Sequence, residues 1–212
     1  MTNVASFTFN PFQENTFVLY DDTKECIIID PGCSNLAEQQ ELALFIERNE
    51  LKPVKLLNTH THVDHVLGNR FVMEKYKIGL ELNKLEVPGL AHSVKIGAMY
   101  GFPVEESPAP TGFLEEGDVF EFGNTKLEVL FTPGHSIASI SFYCRASNFV
   151  IAGDVLFNGS IGRTDLPGGN FNTLIKSIKT KLFTLADETT VYCGHGPKTT
   201  VGHEKQTNPF LT

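Results

Sequence analysis

The residues best suited to chemistry in this chain lie in one heptapeptide, Thr59-His60-Thr61-His62-Val63-Asp64-His65. Three imidazoles and a carboxylate so close together are the donors that zinc and its first-row neighbours take. They follow Val54-Lys55-Leu56-Leu57, an apolar run that reads as a short buried strand. With the extended conformation carried through the first pair, His60 and His62 project from one side of the backbone and can share an ion, because strand side chains repeat every second residue. Asp64 and His65 fall where the chain turns into the Val66–Met73 segment, so their side chains take another direction and suit a second, adjacent ion. A solvated turn rich in histidine is the bland alternative. Four potential ligands at this spacing weigh against it.

Further candidates stand at the ends of other apolar runs. Cys26-Ile27-Ile28-Ile29 runs into Asp30-Pro31-Gly32, where Asp30 is either an orienting partner for a ligand or a cap of the turn. Lys126–Phe131 ends in Thr132-Pro133-Gly134-His135, Phe149–Ala152 in Gly153-Asp154, and Thr190–Cys193 in Gly194-His195-Gly196-Pro197. Glycine beside each ligand lets the backbone turn sharply. That pattern fits a functional edge where strand ends converge. His92 has no ligand-like neighbour and reads as a surface or packing residue.

The elements that must position these residues follow from periodicity. Val4–Phe9 and Thr16–Tyr20 read as two antiparallel strands, and Leu36 to Asn49 as an amphipathic helix with Ser34 or Asn35 as N-cap. A helix is expected from Val66 to Tyr76, a strand over Ile78–Leu82, and an irregular, proline-bearing insertion over 83–111. The second half offers strands over 126–131, 137–143, 149–152 and 190–193, with one helix from Asn172 to Leu185. This α/β order predicts two βα halves packed sheet against sheet, helices outside, as one domain over 1–212.

With 212 residues, 41% of them apolar, the chain can bury a core without disulfides. Net charge is −8, with no basic run, which argues against nucleic acid as a partner. No apolar run approaches the roughly 20 residues of a membrane span, and the N-terminus lacks a signal-like pattern. A cytoplasmic protein is expected. Cys26, Cys33, Cys144 and Cys193 are widely spaced without a C-x-x-C pair and read as buried structural thiols. Oligomeric state is not legible.

Thr59 to His65 meets in full the T-H-x-H-x-D-H signature of the metallo-β-lactamase superfamily, and His135, Gly153-Asp154 and Gly194-His195 match its later motifs in order. The chain resembles that superfamily over nearly its whole length. The resemblance implies a four-layer αββα sandwich with two divalent ions, zinc foremost, with iron or manganese as alternatives. It implies His60, His62 and His135 on one ion, Asp64, His65 and His195 on the other, and Asp154 bridging. A hydroxide held between such ions would attack an ester, thioester or amide, with Asp64 also a candidate to orient the attacking water.

Ser160-Ile161-Gly162-Arg163-Thr164-Asp165 is similar to the G-R-T-D segment of glyoxalase II-like (hydroxyacylglutathione hydrolase-like) enzymes, and the tail through Asn208-Pro209-Phe210 resembles their short, single-domain branch. Arg163 is therefore the candidate for binding an anionic thioester substrate. Its alternative is a structural pair with Asp165. The C-terminal helical domain of full-length glyoxalase II is not in this chain, which puts a glutathione thioester in doubt and favours another small thiol. The same segment also resembles persulfide dioxygenases, in which His60, His135 and Asp154 would hold a single iron. A zinc-storing or sensing protein fits less well, because closed structural sites use four ligands, often cysteine.

Overall fold

A turn at residues 10–13, with Asn10 (φ 53°) and Gln13 (φ 59°) both left-handed, reverses the alternating N-terminal segment on itself. Strands β1 (Asn3–Phe9) and β2 (Glu14–Tyr20) consequently pair antiparallel from Asn3–Tyr20 to Phe9–Glu14. The computed structural model describes residues 1–101 and 104–212. These divide into two compact units, one of 1–114 with 121–125 and one of 115–120 with 126–212.

The first unit is built on a sheet ordered β1-β2-β3-β4-β5-β6. Strand β3 (Glu25–Ile29) joins β2 antiparallel and β4 (Lys52–Leu57) joins β3 parallel. Helix α1 (Leu36–Arg48) makes the crossover; Asn35 caps it, accepting from the Ala37 and Glu38 N–H groups, and Leu42 and Ile46 face the core. Val18, Ile28, Leu56, Val72 and Leu80 complete that core.

After β4 the expected single helix is two, α2 (Val63–Val66) and α3 (Asn69–Tyr76), because the Gly68 N–H turns out to the Pro31 carbonyl at 2.7 Å. The expected strand over Ile78–Leu82 is shorter, β5 (Leu80–Leu82). The segment read as irregular contains a 3-10 turn at Lys84–Glu86 and the 14-residue helix α4 (Val87–Tyr100). Pro88 stands in its first turn, where a missing N–H breaks no helical bond, so proline content misled there. Pro103 lies outside the described residues. Strand β6 (Gly112–Phe113) closes the sheet, parallel to β5.

The second sheet is ordered β14-β13-β10-β9-β8-β7, of which β7 (Val119–Phe122) and β8 (Thr125–Phe131) form a hairpin whose tip, 121–125, belongs to the first unit. At that tip the buried Asp21 takes the Asn124 N–H (2.7 Å) and the Thr125 hydroxyl (3.0 Å). Strand β9 (Ile140–Cys144) starts three residues later than expected, because Gly134 N–H bonds the Ser136 carbonyl and ties the preceding residues into a loop. Strand β10 (Phe149–Gly153) is followed by a small ribbon, β11 (Leu156–Phe157) and β12 (Ser160–Ile161).

Helix α5 (Phe171–Thr180) ends five residues before the expected boundary and gives way to a 3-10 turn. Strand β13 (Thr190–Cys193) then pairs parallel with β10. Strand β14 (Thr199–Thr200) and helix α6 (Val201–Thr207) complete the unit; neither was anticipated. Val150, Ala152, Leu174, Ile178, Val191 and Val201 are fully buried at its centre.

All four cysteines are buried free thiols, as expected, and burial pushes Cys26, Cys33 and Cys193 up to about 12. Among the described residues no helix is long and apolar enough to cross a membrane.

Candidate metal centre

In the first unit, β4 stops at Leu57, the Asn58 N–H still bonds the Glu81 carbonyl of β5 at 3.1 Å, and the chain then runs on to His62, the N-cap of α2. His60 and His62 nevertheless face each other, ring centroids 4.7 Å apart. Starting α2 at Val63 swings His65 back, so its ring centroid is 4.2 Å from that of His60, and its Nε2 is 3.7 Å from an Asp64 oxygen. All four candidates of the heptapeptide thus meet in one cluster, with His60 in the middle.

Asp30 organises it. This fully buried residue has φ 49°, a left-handed conformation at the end of β3. Its Oδ1 accepts the Thr59 N–H at 2.7 Å; its Oδ2 accepts the Thr59 hydroxyl at 2.5 Å and faces His65 Nδ1 at 3.1 Å. Thr59 Oγ1 in turn lies 3.0 Å from His60 Nδ1. A carboxylate is an acceptor only, so His65 donates from Nδ1 and directs Nε2 to the cluster. His60 is set the same way through Thr59, whose proton is committed to Asp30. Donor atoms of Asp30, His60 and His65 lie within 4.8 Å of one another. With its oxygens already accepting from Thr59 and His65, Asp30 is a support for ligands and not one of them.

Glu14 lies behind His65, its Oε1 3.9 Å from Nδ1 and its Oε2 accepting from Thr16. Burial pushes its carboxyl well above the usual range, against the opposing pull of His65. The loop backbone is held as well: Asn10 donates to the Asp64 carbonyl (3.0 Å) and Asn58 to that of His65 (3.1 Å). None of Glu14, Asn10 and Asn58 was singled out from the sequence.

The second unit gathers His135, Asp154 and His195 at the ends of β8, β10 and β13. Asp154 Oδ2 is 3.5 Å from His135 Nε2 and 3.4 Å from His195 Nε2. His135 Nδ1 donates to the Arg163 carbonyl at 2.8 Å, which again directs Nε2 inward. Gly162 makes this possible, since a Cβ there would stand 1.9 Å from the Asp154 carbonyl oxygen and 3.1 Å from His135 Nδ1.

The Arg163 side chain points elsewhere. Its Nε and Nη2 each bond an Asp165 oxygen at 2.7 Å, and both side chains are well exposed. This pair holds Asp165 at about 2. The structural reading of Arg163 is the one seen here, with its carbonyl as a support for His135.

The C-terminal tail locks the same loop. Buried Glu204 accepts from the Thr199 hydroxyl (2.6 Å), Asn208 (2.7 Å) and the Gly159 N–H (3.1 Å), while Asn208 donates to the Ser160 carbonyl (3.0 Å). Imidazoles anchored through Nδ1, with carboxylates beside their Nε2 atoms, are a divalent-metal donor set. The residues present fit such ions in both units.

The Metallo-beta-lactamase superfamily model matches residues 9–195. The chain belongs to that superfamily and has its fold. It is 43% identical over 202 residues to the probable metallo-hydrolase YqgX of Bacillus subtilis (95% of this chain, 93% of that one). It is 36% identical over 211 residues to the hydroxyacylglutathione hydrolase GloC of Haemophilus influenzae (99% and 98%). Among solved structures, the B3 metallo-β-lactamase BLEG-1 superposes with TM-score 0.89 at 35% identity, covering all of both chains. TTHA1623, in a di-iron-bound form, superposes with TM-score 0.88 at 38% identity, covering 98% of this chain and 100% of that one.

Proposed function

We propose that this protein is a metal-dependent hydrolase of small anionic thioesters. His60, His62, Asp64 and His65 of the first unit and His135, Asp154 and His195 of the second are its metal ligands, in the two-ion grouping that the resemblance implies. The observation that carries this reading is the anchoring of Nδ1 on His60, His65 and His135 by protein acceptors, which presents each Nε2 as a ligand. Bound divalent ions, zinc foremost, would supply an activated water and charge stabilisation for an acyl-transfer oxyanion.

The chain's own part is positional. Asp30 sets two imidazoles and the Arg163 carbonyl a third, while Asp64 lies beside His65 to orient the attacking water. The thioester assignment draws on the full-length likeness to GloC. Arg163 would bind the substrate anion by exchanging Asp165 for it, as a guanidinium fork can. Four buried thiols without a disulfide suit a reducing cytoplasm.

Elemental analysis of protein purified without added metal tests the reading, with hydrolysis assays on the same sample. About two ions per chain, and cleavage of S-lactoylglutathione or a smaller thioester that is lost in Asp154→Ala, is the expected result. One iron per chain with oxygen uptake on a glutathione persulfide, or turnover of a cephalosporin without thioesterase activity, would overturn it.

A further inference from the structure

The residue between the first two histidines has a partner that the mechanism above does not use. In an extended stretch side chains alternate, so with His60 and His62 facing each other Thr61 points the opposite way. There it meets Glu86. Glu86 Oε2 accepts the Thr61 N–H at 3.0 Å and its hydroxyl at 2.8 Å, and the Glu86 carbonyl also lies 2.9 Å from that hydroxyl. Thr61 is 5% exposed and Glu86 4%. Contact is close on this side: a Cβ on Gly89, one turn into α4, would stand 1.9 Å from Thr61 Oγ1.

Glu86 is also the N-cap residue of α4, yet its side chain makes no capping bond. An acid at that position ordinarily stabilises its own helix by accepting from the first turn. This one is turned away and spent on the backbone between two candidate ligands. Burying a carboxylate is costly unless it is hydrogen-bonded, and a single oxygen takes both bonds from one residue.

We infer that Glu86 is a positioning residue for the metal centre: by gripping the Thr61 N–H and hydroxyl from the start of α4, it fixes the peptide from which His60 and His62 both project. The inference rests on the reading that these histidines are metal ligands. A rotation of that peptide would move both imidazoles together, so loosening the grip costs metal affinity before it costs the fold. Carbonyl and carboxylate partners of ligands typically contribute roughly 10–100-fold to metal affinity.

The test is zinc affinity, measured by competition with a chromophoric chelator on wild type, Glu86→Ala, Glu86→Gln and Thr61→Val, with thermal unfolding of each metal-free protein alongside. Glu86→Ala is expected to bind zinc roughly 10–100-fold more weakly than wild type. Glu86→Gln, which keeps an acceptor oxygen of the same reach, should restore most of that affinity. Thr61→Val keeps the N–H and removes only the hydroxyl, so it should fall between, and it decides the matter if Glu86→Ala does not fold. Wild-type affinity in Glu86→Ala, or in Thr61→Val where Glu86→Ala does not fold, would overturn the inference while leaving the metal-centre reading intact. Absence of zinc binding in the wild type would overturn both.

Discussion

Single carboxylates decide much of this molecule, and they do so by what they accept. Asp30, Asp21 and Glu204 are buried, and each takes hydrogen bonds from two or three residues. Asp21 shows the consequence for pH. Burial alone would raise its carboxyl, but bonds from Thr23, Asn124 and Thr125 outweigh burial and hold it below the usual aspartate range. A depressed folded value means the stabilisation is complete above the unfolded value of about 3.9 and is lost as pH falls through the folded one. Urea unfolding should therefore find Asp21→Asn less stable than wild type at pH 7, with the gap narrowing by pH 3. An equal gap at both values would show that the bonds do not depend on charge. The roles of Asp30 and Glu86 were half legible and illegible, respectively. Asp30 stands at a strand end before Pro-Gly, which marks it out, whereas nothing near Glu86 in the sequence points to Thr61.

At the scale of elements, connecting loops carry the proposed ligands and short, unforeseen pieces hold those loops. The ribbon of β11 and β12 brings Gly162 and Arg163 against Asp154 and His135, and the C-terminal tail pins the ribbon through Glu204 and Asn208. Gly162→Ala is the sharpest probe, because the added methyl collides with a backbone oxygen that no rotamer change can move. We expect a folded protein with at least tenfold weaker metal binding, since a displaced carbonyl no longer sets His135; titration with zinc would show it. Unchanged affinity would mean that the Arg163 carbonyl is dispensable. Two-residue strands such as β6, β11, β12 and β14 carry too little periodicity to read from sequence. Helix α4 was missed for another reason, as its early proline looks like a breaker unless its position in the first turn is known.

For the whole molecule, metal and fold should be linked. The proposed ligands stand on separate loops that only folding gathers, so ions would bind the native chain and not the unfolded one. At free ion about 100-fold above its dissociation constant, each bound ion contributes about 2.7 kcal/mol. In a chain of this length that corresponds to a melting shift of roughly 5–10 °C for each ion. Calorimetry with and without a chelator should show a fall of that size, reversed by zinc. A melting temperature indifferent to the chelator would mean that the ligands are not loaded in the native state.

The sequence by itself determined the types and order of the candidate ligands and the apolar runs that deliver them. Those follow from local chemistry: a histidine pair two apart, a Gly-Asp after a strand, a Gly-His after another. It also determined the family, because the signature heptapeptide and its later partners are specific as a set. Only the tertiary structure decided which nitrogen of His60, His65 and His135 is anchored and which is left to face inward. That choice is made by Asp30, Thr59 and the Arg163 carbonyl, partners lying up to 35 residues away along the chain. It likewise decided that Arg163 pairs with Asp165 and that Glu86 grips Thr61. Hydrogen bonds between distant segments leave no periodic trace in a sequence, and they exist only once the backbone has brought donor and acceptor within 3 Å or so.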